Sequence, residues 1–285
     1  MYRLTGGRVC CVSAGGYRSS SSRRSNVGND GPTPRGLTKR VRADWAALAE
    51  PMATPSAFEP GSVAELPQPV QRWLTHTIEG GTPLRSAVEL HMHGEIRLGA
   101  WRPFSAVQRL APERGFVWAA TARLLGVPVT GFDRFTRGTG ELRWRLLNAL
   151  PMMSALGDDI TRSASGRHAG ELLLAAPAAA FEPGVSWKAV DGERADATIQ
   201  EGRGTHEVRL TIDERGALKE LHMTRWGNPG KQPFGEYPFG AELEDEITFD
   251  GFTIPRIVTA GWHHGTERWP EGEFIRYTID RARYL

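Results

Sequence analysis

From Leu84 onward the apolar residues of this chain recur at every second position, a period that restricts the fold to one dominated by β-strands. Val88, Leu90, Met92 and Gly94 alternate with Glu89, His91, His93 and Glu95, the pattern of a strand buried on one face. Similar alternation predicts strands over 104–110, 116–122, 127–136, 140–146, 195–200, 207–213, 218–226, 242–249, 252–263 and 274–281. Asp213-Glu214-Arg215-Gly216 and Asp250-Gly251 carry the residues of hairpin turns. So many strands on short turns predict an α+β, mostly β fold: a strongly curved antiparallel sheet or half-open β-barrel with a few helices across its mouth.

Three segments have the helical period instead. Pro69 suits the first turn of a helix that runs to about Ile78, with Val70, Trp73, Leu74 and Ile78 on one face. A second is predicted over 166–180, with Leu172, Leu173 and Ala176 facing the sheet. A short one over 37–49 presents Val41, Trp45 and Leu48 before Pro51, Pro55 and Pro60 interrupt it.

Charge divides the chain unevenly. Up to Arg42 there are eight Arg, one Lys and one acid, Asp30, giving +8, whereas the rest carries 26 bases against 32 acids, or −6. Positions 13–35 are rich in Ser, Gly and Arg without any hydrophobic period, and are expected to stay unstructured. The expected division is a basic leader with a short helix over 1–50 and a single β-rich domain over 51–285. The leader reads as a solvated arm, or as sequence upstream of the natural start. The acidic domain lacks the basic patch that a phosphate backbone requires, so no nucleic-acid partner is expected for it. Cys10 and Cys11 both fall in the leader, leaving the domain without disulfide or thiol, which suits the cytoplasm. No apolar run approaches the roughly 18 residues of a membrane span, nor the core of an export signal.

Several constellations are candidates for chemistry. His91 and His93 project to one side of a strand, as a metal pair must, yet Glu89 and Glu95 share that side and the row reads as a solvated face; no metal is expected. His263 and His264 are consecutive, so one at most enters a site, and the neighbouring Gly265 favours a surface turn. Arg167 and Glu171 sit at i and i+4 of the predicted second helix, within ion-pair reach. Across the mouth of a curved sheet, Arg167 would hold a ligand carboxylate, and Glu171 or His168 would serve as acid or base. Asp133, beside Phe132 and Phe135, would have its pKa raised if it faces inward; the alternative is a pair with Arg134, Arg137 or Arg225. Phosphate-binding loops, nucleophile elbows and dinucleotide fingerprints are missing, and Gly138-Thr139-Gly140 lies between strands, so no cofactor is expected. Of nine tryptophans, Trp118, Trp187, Trp226 and Trp262 fall in or beside strands and are candidates to line an apolar ligand cavity.

An ordered set of landmarks adds a resemblance. Leu66-Pro67-Gln68-Pro69-Val70-Gln71-Arg72-Trp73-Leu74, Phe116-Val117-Trp118, Gly138-Thr139-Gly140, Ser165-Gly166-Arg167-His168 with Glu171, Gly184-Val185-Ser186-Trp187 and Gly251-Phe252-Thr253-Ile254-Pro255 resemble an uncharacterised bacterial domain-of-unknown-function family with a Leu-Pro-x-Pro-Val-x-Arg-Tyr-Leu opening. The resemblance implies a fold similar to the half-open β-barrels of lipoprotein carriers (LolA-like), and it supplies no reaction. In this sequence the central helix reads Arg-His-Ala-Gly-Glu where the family has Arg-Tyr-Leu-x-Glu, a loss of bulk that would widen a cavity.

Two functions follow as expectations. The first is a binding protein that holds a lipid or other apolar small molecule in the hollow of the sheet. The second is a cofactor-independent cyclase, isomerase or hydrolase of a hydrophobic metabolite, with Asp133, Glu171 or His168 as acid or base.

Overall fold

Every segment with the period of two forms a strand, and the strands join into one sheet. The structure is a computed structural model in which residues 33–50, 55–201 and 204–285 are described; Cys10, Cys11 and the basic stretch up to residue 32 lie outside them. The first run comprises β1 (Val88–Leu98), β2 (Ala100–Ala111), β3 (Gly115–Leu124), β4 (Val127–Thr136), β5 (Thr139–Leu146) and β6 (Leu150–Leu156). The second comprises β7 (Val185–Ala189), β8 (Arg194–Glu201), β9 (Gly204–Ile212), β10 (Leu218–Gly227), β11 (Gly235–Phe249), β12 (Phe252–Trp262) and β13 (Glu273–Tyr284). Each run is a meander of antiparallel neighbours. The two are joined where β1 pairs with β13, from Val88↔Tyr284 to Ile96↔Ile275, so β6 and β7 become the edges.

Helices α1 (Lys39–Ala47) and α2 (Gln68–Thr77) precede the sheet, and α3 (Asp158–Ala175) connects its two edge strands. This connection forces the curvature. Flat, a sheet of 13 strands would be about 58 Å across at about 4.8 Å per strand, while the 18 residues of α3 reach about 27 Å. Yet α3 touches β5 and β6 near one edge and β8, β9 and β10 near the other, so the sheet curls around it. The expected half-open barrel is what the structure shows.

Local chemistry sets the details. Asp250 and Gly251 adopt φ of 52° and 85°, the left-handed pair of a tight hairpin turn between β11 and β12. Gly140 on β5 allows close packing of α3, because a Cβ there would lie 2.7 Å from the Ile160 carbonyl oxygen. The expected glycine-rich Gly138-Thr139-Gly140 motif is therefore a turn followed by a helix contact.

Both faces of the sheet are covered near β3. Phe116, Trp118, Ala120 and Ala122 join the large core on the concave side, and Val117 and Ala119 join a second core with Leu37, Val41, Trp45 and Leu48 from the α1 region. Helix α1 thus packs on the outer face. Buried polar groups fasten it. Asp44 accepts a hydrogen bond from Thr136 Oγ1 at 3.0 Å and lies 3.5 Å from Arg134 and 3.2 Å from Arg137. Arg109 donates to Glu89 at 2.7 Å and to the Trp45 carbonyl at 2.9 Å. Glu89, expected on a solvated face, is buried because α1 covers it.

Candidate functional site

Inward positions of neighbouring strands align into one row. Gln108 on β2 opposes Trp118 on β3, Trp118 opposes Asp133 on β4, and Asp133 opposes Leu142 on β5. The pleat sends these side chains into the hollow. Facing them, α3 presents Ile160, Ser163, Arg167, Gly170, Glu171 and Leu174, positions three or four apart that share one helical face. From the second meander come Leu221, Met223 and Arg225, alternate residues of β10, with Phe239, Val258, Ile275 and Tyr277. Together they enclose a cavity of about 330 Å³, with mostly apolar walls.

Its polar groups form a connected cluster. Arg167 bridges both acids, with Nε donating to Glu171 at 2.8 Å and Nη1 to Asp133 at 3.1 Å. The other Glu171 oxygen accepts from Gln108 Nε2 at 2.6 Å. The Arg167 guanidinium also lies over the rings of Phe116 and Trp118, at 4.7 and 5.3 Å. Burial, opposed by Arg167, lifts the Asp133 carboxyl from its ordinary 3.8 to about 6. Arg225 sits over Phe239 at 4.5 Å and Trp262 at 5.1 Å, and burial together with the nearby positive charge of Arg167 lowers its pKa to about 9. Burial raises the Tyr277 hydroxyl.

Asp133, Glu171, Arg167 and Trp118 are the expected site residues that the structure brings together. His168 lies elsewhere: it is fully buried, with Nδ1 2.6 Å from Glu201 and its ring beside Phe116 and Phe135. With Ser165, whose Oγ lies 2.8 Å from His206 Nε2, it pins α3 to β8 and β9. Trp187 packs against Trp73 of α2 at 5.8 Å, outside the cavity. Trp226 lies at the start of α3, donating to Asp159 and stacked under Arg162 at 3.9 Å. Trp262 does not reach the cavity and acts through Arg225.

The histidine pairs are also resolved. His91 contacts Glu89 and His93 contacts Asp280, at 3.2 and 2.9 Å. No cluster of three or more His, Cys, Asp or Glu that could hold a metal occurs among the described residues. His263 and His264, expected near the surface, are both buried; His263 has a φ of 62°, and its ring lies edge-on to Tyr237 while that of His264 packs on Trp269. His264 Nδ1 lies 3.2 Å from His222 Nδ1.

Gln108 and Tyr277 line the site without any mark in the sequence, and Arg225, expected at most as a partner of Asp133, lines it in its own right. Arg225 carried a signal: it occupies the inward register of Leu221 and Met223, where an apolar residue is expected. No helix among the described residues is long and apolar enough to cross a membrane.

The chain belongs to a family of unknown function, DUF6544, which matches residues 56–274. No curated protein matches it. Among solved structures it is similar to a LolA superfamily protein from Nitrosomonas europaea, with a TM-score of 0.40, and to a candidate outer membrane lipoprotein-sorting protein domain from Vibrio parahaemolyticus, with a TM-score of 0.38. Each shares 8% identity with the chain over 70% of its length and 85% of theirs.

Proposed function

For a member of a family without an assigned activity, we propose a role read from the cavity itself: the protein binds an apolar small molecule or lipid chain between α3 and the concave sheet. The observation that carries this reading is the 330 Å³ hollow, whose walls are apolar side chains from both meanders and from α3. Close-packed interiors rarely leave such a volume empty, and apolar walls with a few convergent polar groups are the usual make-up of a ligand pocket. The cytoplasm is the proposed compartment.

Catalysis is the second reading, favoured by Asp133, whose raised pKa suits an acid or base near neutral pH. Geometry weighs against it. Both Glu171 oxygens are engaged, by Arg167 and Gln108, and Asp133 Oδ1 is buried without a hydrogen-bond partner among the described residues. A substrate would reach that oxygen only after the cavity wall rearranged.

Native mass spectrometry of the protein purified from its own host, before and after solvent extraction, tests the binding role. The expected result is an extractable adduct and uptake of an environment-sensitive apolar dye once it is removed. A protein that carries nothing and takes up no dye would refute it.

A further inference from the structure

The two arginines of the cavity are provided for very differently. Arg167 is neutralised by Asp133 and Glu171. Arg225 has no carboxylate within ion-pair distance among the described residues. Its hydrogen bonds are from Nε to the Ser163 carbonyl at 3.1 Å and from Nη2 to Ser163 Oγ at 3.3 Å. A guanidinium has five N–H donors, so most of this one's hydrogen-bonding capacity is unused. The residue is nevertheless only 8% exposed and lines the cavity. Tyr277, on the same cavity, offers a hydroxyl that also has no hydrogen-bond partner among the described residues.

A charge removed from water is costly unless it is paired. Among the described residues its direct contacts are one serine and the ring faces of Phe239 and Trp262, which attract a cation but leave its in-plane donors free, while Glu171 and Asp133 favour its charge only from beyond ion-pair distance. A planar fork of donors beside an apolar hollow matches the two oxygens of an acid attached to a hydrocarbon chain. We propose that the ligand is an anionic amphiphile, whose carboxylate or phosphate head pairs with Arg225 while its chain lies along Met223, Phe239 and Phe274. This rests on the binding role above and adds the head-group chemistry to it.

Isothermal titration of the full-length protein with dodecanoate, dodecyl phosphate and dodecanol, each below its micelle concentration, separates the two claims. The protein should bind the better of the two acids more tightly than the alcohol by on the order of ten- to a hundredfold, the worth of one hydrogen bond to a charged group. Which acid is preferred identifies the head. Arg225→Met should still bind dodecanol and lose the preference. Equal binding of all three by the wild type, or a preference unchanged in Arg225→Met, overturns the anion while leaving the cavity role intact; binding of none overturns both. Should Arg225→Met fail to fold, Arg225→Lys decides: a compact ammonium should reduce the preference, and an unchanged preference refutes the role of Arg225.

Discussion

Arg167 Nη1 lies 3.1 Å from Asp133 Oδ2 and so links helix α3 to strand β4 across the cavity. The contact does not keep the carboxyl acidic, because the loss of water around Asp133 outweighs the attraction of the guanidinium. Glu171, drawn to the same arginine, adds repulsion.

The consequence is a pH-dependent stability with a defined sign. Between the ordinary 3.8 and about 6 the native protein holds the Asp133 proton that the unfolded chain has released. The native state then binds more protons, so this group's contribution to stability falls as pH rises through the window and levels off above it. Asp133→Asn, which cannot ionise, should gain stability relative to wild type between pH 4 and pH 7, by at most about 3 kcal/mol. Urea unfolding of both proteins at the two pH values measures the difference; a gap that does not change with pH contradicts the assignment.

Gly170 separates ligand binding from stability. It lies on the cavity face of α3, where a Cβ would meet only the Met223 sulfur, at 3.7 Å. Gly170→Leu should raise helix propensity by up to about 1 kcal/mol while filling the hollow. Dye uptake should drop at least tenfold with no loss in thermal unfolding temperature. Undiminished uptake would place the bound molecule elsewhere.

The outer face should be as sensitive as the inner one. Asp44→Ala removes one carboxylate from the buried Arg134, which keeps Glu141 at 2.8 Å, and leaves Thr136 Oγ1 without its acceptor; the expected loss is about 1–3 kcal/mol. Denaturant unfolding followed by tryptophan emission, with Trp45 one residue away, reports it. A loss below about 1 kcal/mol would mean that α1 is held by its apolar contacts and the Arg109 hydrogen bond to the Trp45 carbonyl, with little from Asp44.

Gly140→Ala tests the contact that brings α3 over the cavity. The added methyl group would stand 2.7 Å from the Ile160 carbonyl oxygen and 2.8 Å from the Thr161 Cα, both backbone atoms. The helix has to move, at a cost of about 1–3 kcal/mol. Lower thermal stability and weakened dye binding should appear together; wild-type behaviour in both assays would argue against the tight packing.

The strands were legible because burial on one face writes its period into the sequence, as in Leu90, Met92 and their polar neighbours. β6 and β7 were not, since Leu150–Leu156 and Val185–Ala189 are edge strands with no fully buried residue to mark an alternation. The first half of α3 was missed for a related reason: Asp158-Asp159-Ile160-Thr161-Arg162-Ser163-Ala164-Ser165 buries only Ser165 and has a single large apolar side chain, so no apolar stripe marks its period. Within the site, the spacing of Arg167 and Glu171 predicted their ion pair. Tryptophan identity did not separate lining from packing, as Trp118 and Trp187 show, because which pleat faces the hollow depends on partners far away in sequence.

The seam between β1 and β13 has a consequence for the order of assembly. Each meander can form from hairpins between sequence neighbours, whereas Val88 and Tyr284 must meet across nearly the whole domain. Contacts of such separation close large loops and are slow to form. The cavity takes Trp118 and Asp133 from one meander and Met223 and Arg225 from the other, so it comes into being only at that last closure. A molecule held there touches both halves at once and binds only the completed fold, so it acts as a late clasp on a protein whose two halves are made at opposite ends of the chain.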